Sequence, residues 1–159
     1  VEAGMILAML MFIRKVSLTT TVKNPSERDL EDGRLHVLLD KQVPSYAIVY
    51  RVYGPLLFGA TDALESIMDD IPTMPPIVIL KLRHMTALDA TGLRGLEDLA
   101  EAVRRSDRTL IVCSAQPQPA LLMKDADFER LVGALNICDN VTAALSRAVE
   151  VHRTTSTAA

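Results

Sequence analysis

An uninterrupted apolar segment, IVILKL at residues 77–82, constrains the fold of this chain more than any other feature. Four consecutive branched aliphatic side chains predict a strand that is buried on both faces of a sheet. Strands of this kind occur mainly in sheets that helices cover on both sides. The segment therefore predicts an α/β fold.

Strand and helix patterns alternate around this segment. Residues 47–52 and 110–113 are apolar and rich in β-branched side chains, which favours strands, and residues 35–39 and 56–58 are shorter strand candidates. Apolar residues recur at helical spacing in four further groups: Ala60, Leu64, Ile67, Met68 and Ile71; Leu93, Leu96, Ala100 and Val103; Leu122 and Ala126; and Val141, Leu145, Ala148 and Val149. This alternation predicts a sheet covered by helices.

The start of the chain carries an apolar run of eleven residues at positions 3–13, closed by Arg14 and Lys15. A complete membrane helix needs about 20 apolar residues, and a signal peptide carries its basic residues before the apolar run, not after it. The pattern fits the last part of a transmembrane helix that ends on the cytoplasmic side, where basic residues accumulate. An amphipathic terminal helix packed on the rest of the chain is the alternative.

These patterns predict four segments. Residues 1–16 are the end of a last transmembrane helix, and residues 17–45 are a largely polar linker. Residues 46–150 form one folded domain, and residues 151–159 form a small, polar, disordered tail.

Composition argues against several classes of function. The net charge is −3 and the basic residues do not cluster, so nothing favours binding to nucleic acid. Cys113 and Cys138 lie in separate apolar stretches, which favours buried, reduced thiols over a disulfide framework or a zinc site. The histidines His36, His84 and His152 are far apart in sequence, and we predict neither a metal site nor a cofactor.

The candidate site is the loop between the strong strand and the second helix, TALDATGL. The first N–H groups of a helix are unpaired and carry partial positive charge, so such a loop is a natural place for anion recognition. Asp89 or Thr91 can cap the helix, and Gly92 permits the close approach of a backbone or a ligand. An ordinary capped turn would explain the same residues. The candidate interaction residues are Asp89, Ala90, Thr91, Gly92 and Leu93.

Three motifs together resemble one family. The strand ILKLR followed closely by DATGL resembles the STAS domain, which sulfate transporters share with bacterial anti-sigma factor antagonists. The run YRVYGPLLFGA at residues 50–60 is similar to the opening of STAS domains attached to SulP anion permeases. The first residues, EAGMILAMLMFIRKVS, resemble the end of the last membrane helix of those permeases, and the three motifs follow one another in the family's order.

The resemblance implies a fold and a role. The fold is a mixed sheet of four to five strands with about four helices packed mainly on one side. The role is that of a non-catalytic regulatory or assembly domain of a SulP-type secondary transporter for sulfate, bicarbonate or dicarboxylates, at the cytoplasmic face of the inner membrane. The implied partners are the transmembrane domain of the same permease, a second copy in a homodimer, and a cytoplasmic protein.

One position departs from the family pattern. Soluble anti-sigma factor antagonists carry a phosphorylated serine directly after the loop aspartate, and this chain has Ala90 there. Thr91 is the remaining candidate for phosphorylation. A soluble phospho-switch that binds a kinase-like anti-sigma factor stays open as an alternative. So does a module that binds nucleotide weakly at the helix start, although neither GxxxxGK[ST] nor GxGxxG occurs.

An enzyme is the least favoured class. Asp89 and Thr91 have no histidine or lysine close by in sequence to act as a base, and His84 fits a packing residue at a strand end better than a catalytic one. We therefore predict no catalytic residue.

Overall fold

The structure, a computed structural model, describes Met5, Met11 and residues 21–23, 43–57 and 62–157. The described strands are β1 (Thr21–Lys23), β2 (Ala47–Leu56), β3 (Ile77–Leu88), β4 (Thr109–Cys113) and β5 (Ile137–Cys138). The described α-helices are α1 (Asp62–Asp70), α2 (Ala90–Arg105), α3 (Pro117–Asp125), α4 (Glu129–Val132) and α5 (Val141–Thr157). Two 3-10 turns lie at Ile71–Thr73 and Ala134–Asn136.

The five strands form one mixed sheet whose spatial order follows the chain, β1-β2-β3-β4-β5. β1 pairs with β2 in the antiparallel direction, and the other three pairs are parallel. Parallel strands require crossover connections, and these are almost always right-handed. Because the strands follow chain order, every crossover here steps in the same direction along the sheet. The helices that connect the parallel strands therefore lie on the same face.

The two faces of the sheet carry separate cores. The larger core contains apolar side chains of α1 and α2 together with Met123 and Phe128, and Leu131 and Val132 of α4 pack against it. The smaller core, on the opposite face, is covered by α5, which follows β5 in the chain. The predicted mixed sheet with helices mainly on one side is therefore confirmed.

β3 extends well past β4. Its pairing with β4 ends at Lys81 and Cys113, while its pairing with β2 continues to Leu88 through two register shifts. Gly54, with a φ of 82°, lies at the second of these irregularities. The predicted strand at residues 47–52 and the start of the shorter one predicted at residues 56–58 therefore belong to a single strand, β2, which runs on to Leu56.

Two described segments differ from the division of the chain that the sequence predicted. Thr21–Lys23 form an edge strand inside the segment predicted to be a linker. Helix α5 continues through Thr157, where a disordered tail from residue 151 was predicted. Thr154 and Thr155 both donate their hydroxyl groups to the carbonyl oxygen of Val151 within the helix, at 2.8 and 2.9 Å, so these polar side chains find partners without ending the helix.

Other predictions fall on residues that the structure does not describe. The strand at residues 35–39, Phe58 and nearly all of residues 1–16 lie outside the described residues. Within the part of the chain that is described, no helix is both long and apolar enough to cross a membrane.

Candidate functional site

The loop from Asp89 to Leu93 joins β3 to α2 at the carboxyl edge of the sheet. Asp89 is the N-cap of α2, with extended backbone angles, and its Oδ1 accepts a hydrogen bond from the amide of Gly92 at 2.8 Å. The carbonyl oxygen of Asp89 accepts the amide of Leu93 at 2.8 Å, which closes the first helical turn. Of the two caps that the sequence allowed, the structure uses Asp89 and not Thr91.

Gly92 lies directly against β2. An added Cβ atom would lie 3.0 Å from the carbonyl carbon of Leu56 and closer still to its carbonyl oxygen, so no larger residue fits without a backbone shift. The amide of Asp89 also donates to that oxygen, at 3.4 Å. The glycine that the sequence singled out for close approach therefore contacts another strand of its own chain.

A second set of contacts supports the loop from α3. The side-chain amide of Gln118 donates to the carbonyl oxygen of Leu88 at 2.8 Å and accepts the amide of Leu88 at 3.0 Å. Gln116 donates to the carbonyl oxygen of Arg83 at 2.8 Å. These glutamines take the place of a neighbouring strand where β3 extends beyond β4, because an unpaired strand edge presents amides and carbonyls that need partners.

Sequence reasoning missed Gln116 and Gln118. Neither glutamine belongs to a motif, and each bonds a residue about 30 positions earlier in the chain. The one available signal was that β3 is longer than β4. The part of β3 beyond β4 has no neighbouring strand on that side, so its backbone groups need side chains as hydrogen-bond partners.

The exposed part of the site is small. Ala90 and Thr91 are exposed at the start of α2, whereas Gly92 and Leu93 are buried and Asp89 is half-buried. The structure thus brings the five predicted residues together in one hydrogen-bonded turn. Two of them face solvent, and the others hold the turn on the sheet.

The cysteines lie in register on neighbouring strands. Cys113 on β4 and Cys138 on β5 are directly paired, and both thiols are free. Burial raises the pKa of Cys113 to about 11 and also raises the pKa of Cys138. A raised pKa keeps a thiol protonated near neutral pH, which makes it a poor nucleophile and a poor metal ligand.

The two described histidines form ring contacts. His84 stacks on Tyr53 with ring centres 4.9 Å apart, and His152 of α5 stacks on Tyr46 at 3.9 Å. His36 lies outside the described residues. Among the residues that are described, no three His, Cys, Asp or Glu side chains are grouped so that they could hold a metal ion.

Comparisons with known proteins match this architecture. A family model described as the STAS domain matches residues 39–144. A protein of Bacillus subtilis (strain 168), described as a putative sulfate transporter, YvdB, is 26% identical over 141 residues. That match covers 88% of this chain but only 25% of the relative, so the chain spans about a quarter of that protein's length.

Two solved structures are also similar. The first is a sulfate transporter family protein from Wolinella succinogenes, with 25% identity and a TM-score of 0.66; the match covers 72% of this chain and 94% of the other. The second is the STAS domain of a SulP transporter from Vibrio cholerae, with 26% identity and a TM-score of 0.62; the match covers 71% of this chain and 88% of the other.

Proposed function

The chain belongs to the STAS domain family, and on that basis we propose that it is the cytoplasmic regulatory and assembly domain of a SulP-type secondary anion transporter. The observation that carries the proposal is the match of 88% of this chain to a quarter of a putative sulfate transporter. A chain that corresponds to one part of a transporter acts through contacts with the rest of it.

The chemistry of the loop disfavours nucleotide binding at the start of α2. The Oδ1 atom of Asp89 is engaged by the amide of Gly92, and that amide would otherwise be one of the donors open to an anion at the helix start. The aspartate also places negative charge at the helix N-terminus, where it repels a phosphate group. The alternative of nucleotide binding at this loop is weakened for both reasons.

The proposed mechanism is mechanical coupling through this turn. A partner that contacts Ala90 and Thr91 would contact a turn that packs on β2 through Gly92. The residue before this turn, Leu88, is hydrogen-bonded to Gln118 of α3. A contact can bias a transporter only if it differs in free energy between the transporter's states. The proposed partner is the transmembrane domain of the same permease, within a homodimer at the cytoplasmic face of the inner membrane.

The test is anion uptake into vesicles that contain the full permease. We expect Ala90→Glu to change the transport rate or the assembly of the permease, with the choice of anion unchanged. Ala143→Glu is the matched control, because Ala143 is also exposed in the first turn of a helix. If removal of residues 46–150 changed neither transport nor assembly, the regulatory proposal would be wrong.

Phosphorylation at Thr91 is a second candidate, favoured by one observation. Thr91 is exposed, and the capping hydrogen bond comes from Asp89, so the threonine hydroxyl is not needed as the cap. A phosphate there would add nearly two negative charges beside Asp89. Mass spectrometry of the protein from its native host would decide between a modified and an unmodified Thr91.

A further inference from the structure

The two cysteines of the chain occupy directly paired positions on neighbouring strands. Cys113 ends β4 and Cys138 ends β5, and the two residues are partners in the parallel register. The amide of Ser114 donates to the carbonyl oxygen of Cys138 at 3.1 Å, so the backbone contact continues one residue past the end of β4. Both thiols are free, and the sequence holds no third cysteine that could compete for either one.

Both thiols leave the sheet on the face that α5 covers. Cys113 belongs to the smaller core, as does Ile111 two residues earlier on the same strand, and Cys138 packs against that core. Side chains two residues apart on a strand share a face, which agrees with this placement. Two side chains that are paired in register and point to the same face are neighbours across the two strands.

This arrangement fits the geometry of a disulfide bond. Neighbouring strands lie about 4.8 Å apart, and disulfides usually join Cα atoms that are about 4.4–6.8 Å apart. A bond between Cys113 and Cys138 therefore calls for side-chain rotation and not for displacement of a strand. The rotation would give up a weak contact of 3.9 Å between the Sγ atom of Cys138 and the carbonyl oxygen of Leu135. The thiols also sense each other, because the raised pKa of Cys113 comes first from burial and then in part from the charge of Cys138.

We propose that Cys113 and Cys138 are a modification site, where a small disulfide such as oxidised glutathione converts the two thiols into a reversible internal disulfide. The thiolate of Cys138 attacks one sulfur of the small disulfide, forms a mixed disulfide and releases one small thiol. The thiolate of Cys113 then attacks the Cys138 sulfur, forms the internal disulfide and displaces the second small thiol. The two cysteines together lose two electrons to the small disulfide, and their two protons end on the two released thiols.

Burial sets the order of attack. Cys138 is half-buried and Cys113 is 1% exposed, so an external reagent reaches Cys138 first. Burial also raises the pKa of Cys113 to about 11, which lowers its thiolate fraction by about a hundredfold relative to a thiol of ordinary pKa. A well-oriented group in the same molecule can act at an effective concentration of about 10⁵ M. This advantage outweighs the scarcity of thiolate, so the second step follows the first.

The bond would close a loop that carries α3 and α4. Strand β5 has two residues, and a covalent link would hold this short strand to β4. The closed loop also contains Gln118, whose side chain bonds the backbone of Leu88. A crosslink of this kind stabilises mainly by restricting the unfolded chain. The site is separate from the turn at residues 89–93 and does not depend on the regulatory role proposed for that turn.

The test equilibrates the reduced 159-residue chain without oxygen in mixtures of oxidised and reduced glutathione at mildly basic pH. The remaining thiols are then blocked with N-ethylmaleimide in urea before digestion. Trypsin cleaves after Arg108, Lys124, Arg130 and Arg147. Mass spectrometry should find residues 109–124 joined to residues 131–147, with two hydrogens fewer than the separate peptides. The internal disulfide should exceed the mixed disulfide by at least about tenfold, and dithiothreitol should reverse it.

Two controls make the result specific to the folded pair. The same equilibration in urea removes the strand pairing and needs no variant, and we expect the ratio of internal to mixed disulfide to fall by at least about tenfold. Cys113→Ala should accumulate the mixed disulfide at Cys138, because no second thiol can displace the glutathione. Cys138→Ser, which leaves the buried thiol alone, should take up glutathione at least about tenfold more slowly than Cys113→Ala.

Several outcomes would overturn the proposal. These are thiols that stay reduced in every mixture, a mixed disulfide as the main product of the unchanged chain, and covalent dimers of two chains. An internal disulfide that forms as readily in urea as in the folded chain would also overturn it. Because these measurements follow the two cysteines alone, their failure would leave the transport experiments on Ala90→Glu unaffected, and the reverse also holds.

Discussion

Gly92 of α2 rests on the backbone of Leu56 of β2, at a distance that leaves no room for a Cβ atom. This contact joins the start of the helix to a strand that precedes it by more than 30 residues. It explains why a glycine stands in the first turn of a helix, where it otherwise lowers stability. The position of the exposed pair Ala90 and Thr91 depends on it.

Gly92→Ala is therefore expected to destabilise the chain. In an ordinary helix interior this change stabilises by up to about 1 kcal/mol, but here the methyl group would meet the Leu56 carbonyl. We expect a loss of about 2 kcal/mol in the free energy of unfolding, typical of overpacking against a rigid neighbour. Urea unfolding followed by circular dichroism measures it. A variant as stable as the original would mean that α2 does not lie this close to β2.

Asp89→Ala should remove the helix cap. The carboxylate oxygen accepts the Gly92 amide at 2.8 Å, and loss of such a cap costs about 1 kcal/mol. Asp89→Asn is the control, because its side-chain oxygen can accept the same bond. If Asp89→Ala and Asp89→Asn lost the same free energy of unfolding in urea, the charge of Asp89, and not its capping bond, would be what stabilises the turn.

Gln118→Ala should expose the free edge of β3. The change leaves both the amide and the carbonyl of Leu88 without their partner, at a cost of about 1–3 kcal/mol. Hydrogen exchange at the Leu88 amide should accelerate by the corresponding factor. Gln116→Ala, which removes the single bond to Arg83, should have a smaller effect and leave exchange at Leu88 nearly unchanged.

Cys113 should resist alkylation until the solution is strongly basic. Its pKa of about 11, compared with the ordinary 9.0, lowers the thiolate fraction at neutral pH by about a hundredfold. Timed labelling with iodoacetamide, read by mass spectrometry, should modify Cys138 before Cys113 because Cys138 is the less buried of the two. Cys138→Ser isolates Cys113 for the measurement, and rapid labelling of this variant at neutral pH would contradict the buried position.

The same thiol predicts a dependence of stability on pH. A pKa raised in the folded state means that folding favours the protonated thiol. Its contribution to stability is complete below the unfolded pKa, near 9, and is lost as the pH rises toward about 11. Unfolding measured from pH 8 to 10.5 should show this loss in the original chain and less of it in Cys113→Ala.

Short-range patterns predicted much of this fold. The apolar run at residues 77–82, the helical spacing of Leu93, Leu96 and Val103, and the capping residue Asp89 before α2 all depend on neighbours within a few positions. Such features follow from backbone geometry and local hydrogen bonds. The strong strand, the capped loop and helix α5 could therefore be placed from sequence, and the three-motif resemblance added a mixed sheet with helices mainly on one side.

The amino-acid sequence by itself determined that this chain builds a helix-covered sheet with a capped turn after its central strand, because periodicity and capping act over single turns of backbone. Only the tertiary structure decided what that turn and that sheet bring together. The contact of Gly92 with Leu56 and the bonds from Gln118 to Leu88 arise from the packing of helices against strands that are distant in sequence. Such packing joins residues about 30 or more positions apart, beyond the reach of patterns that repeat over a few residues.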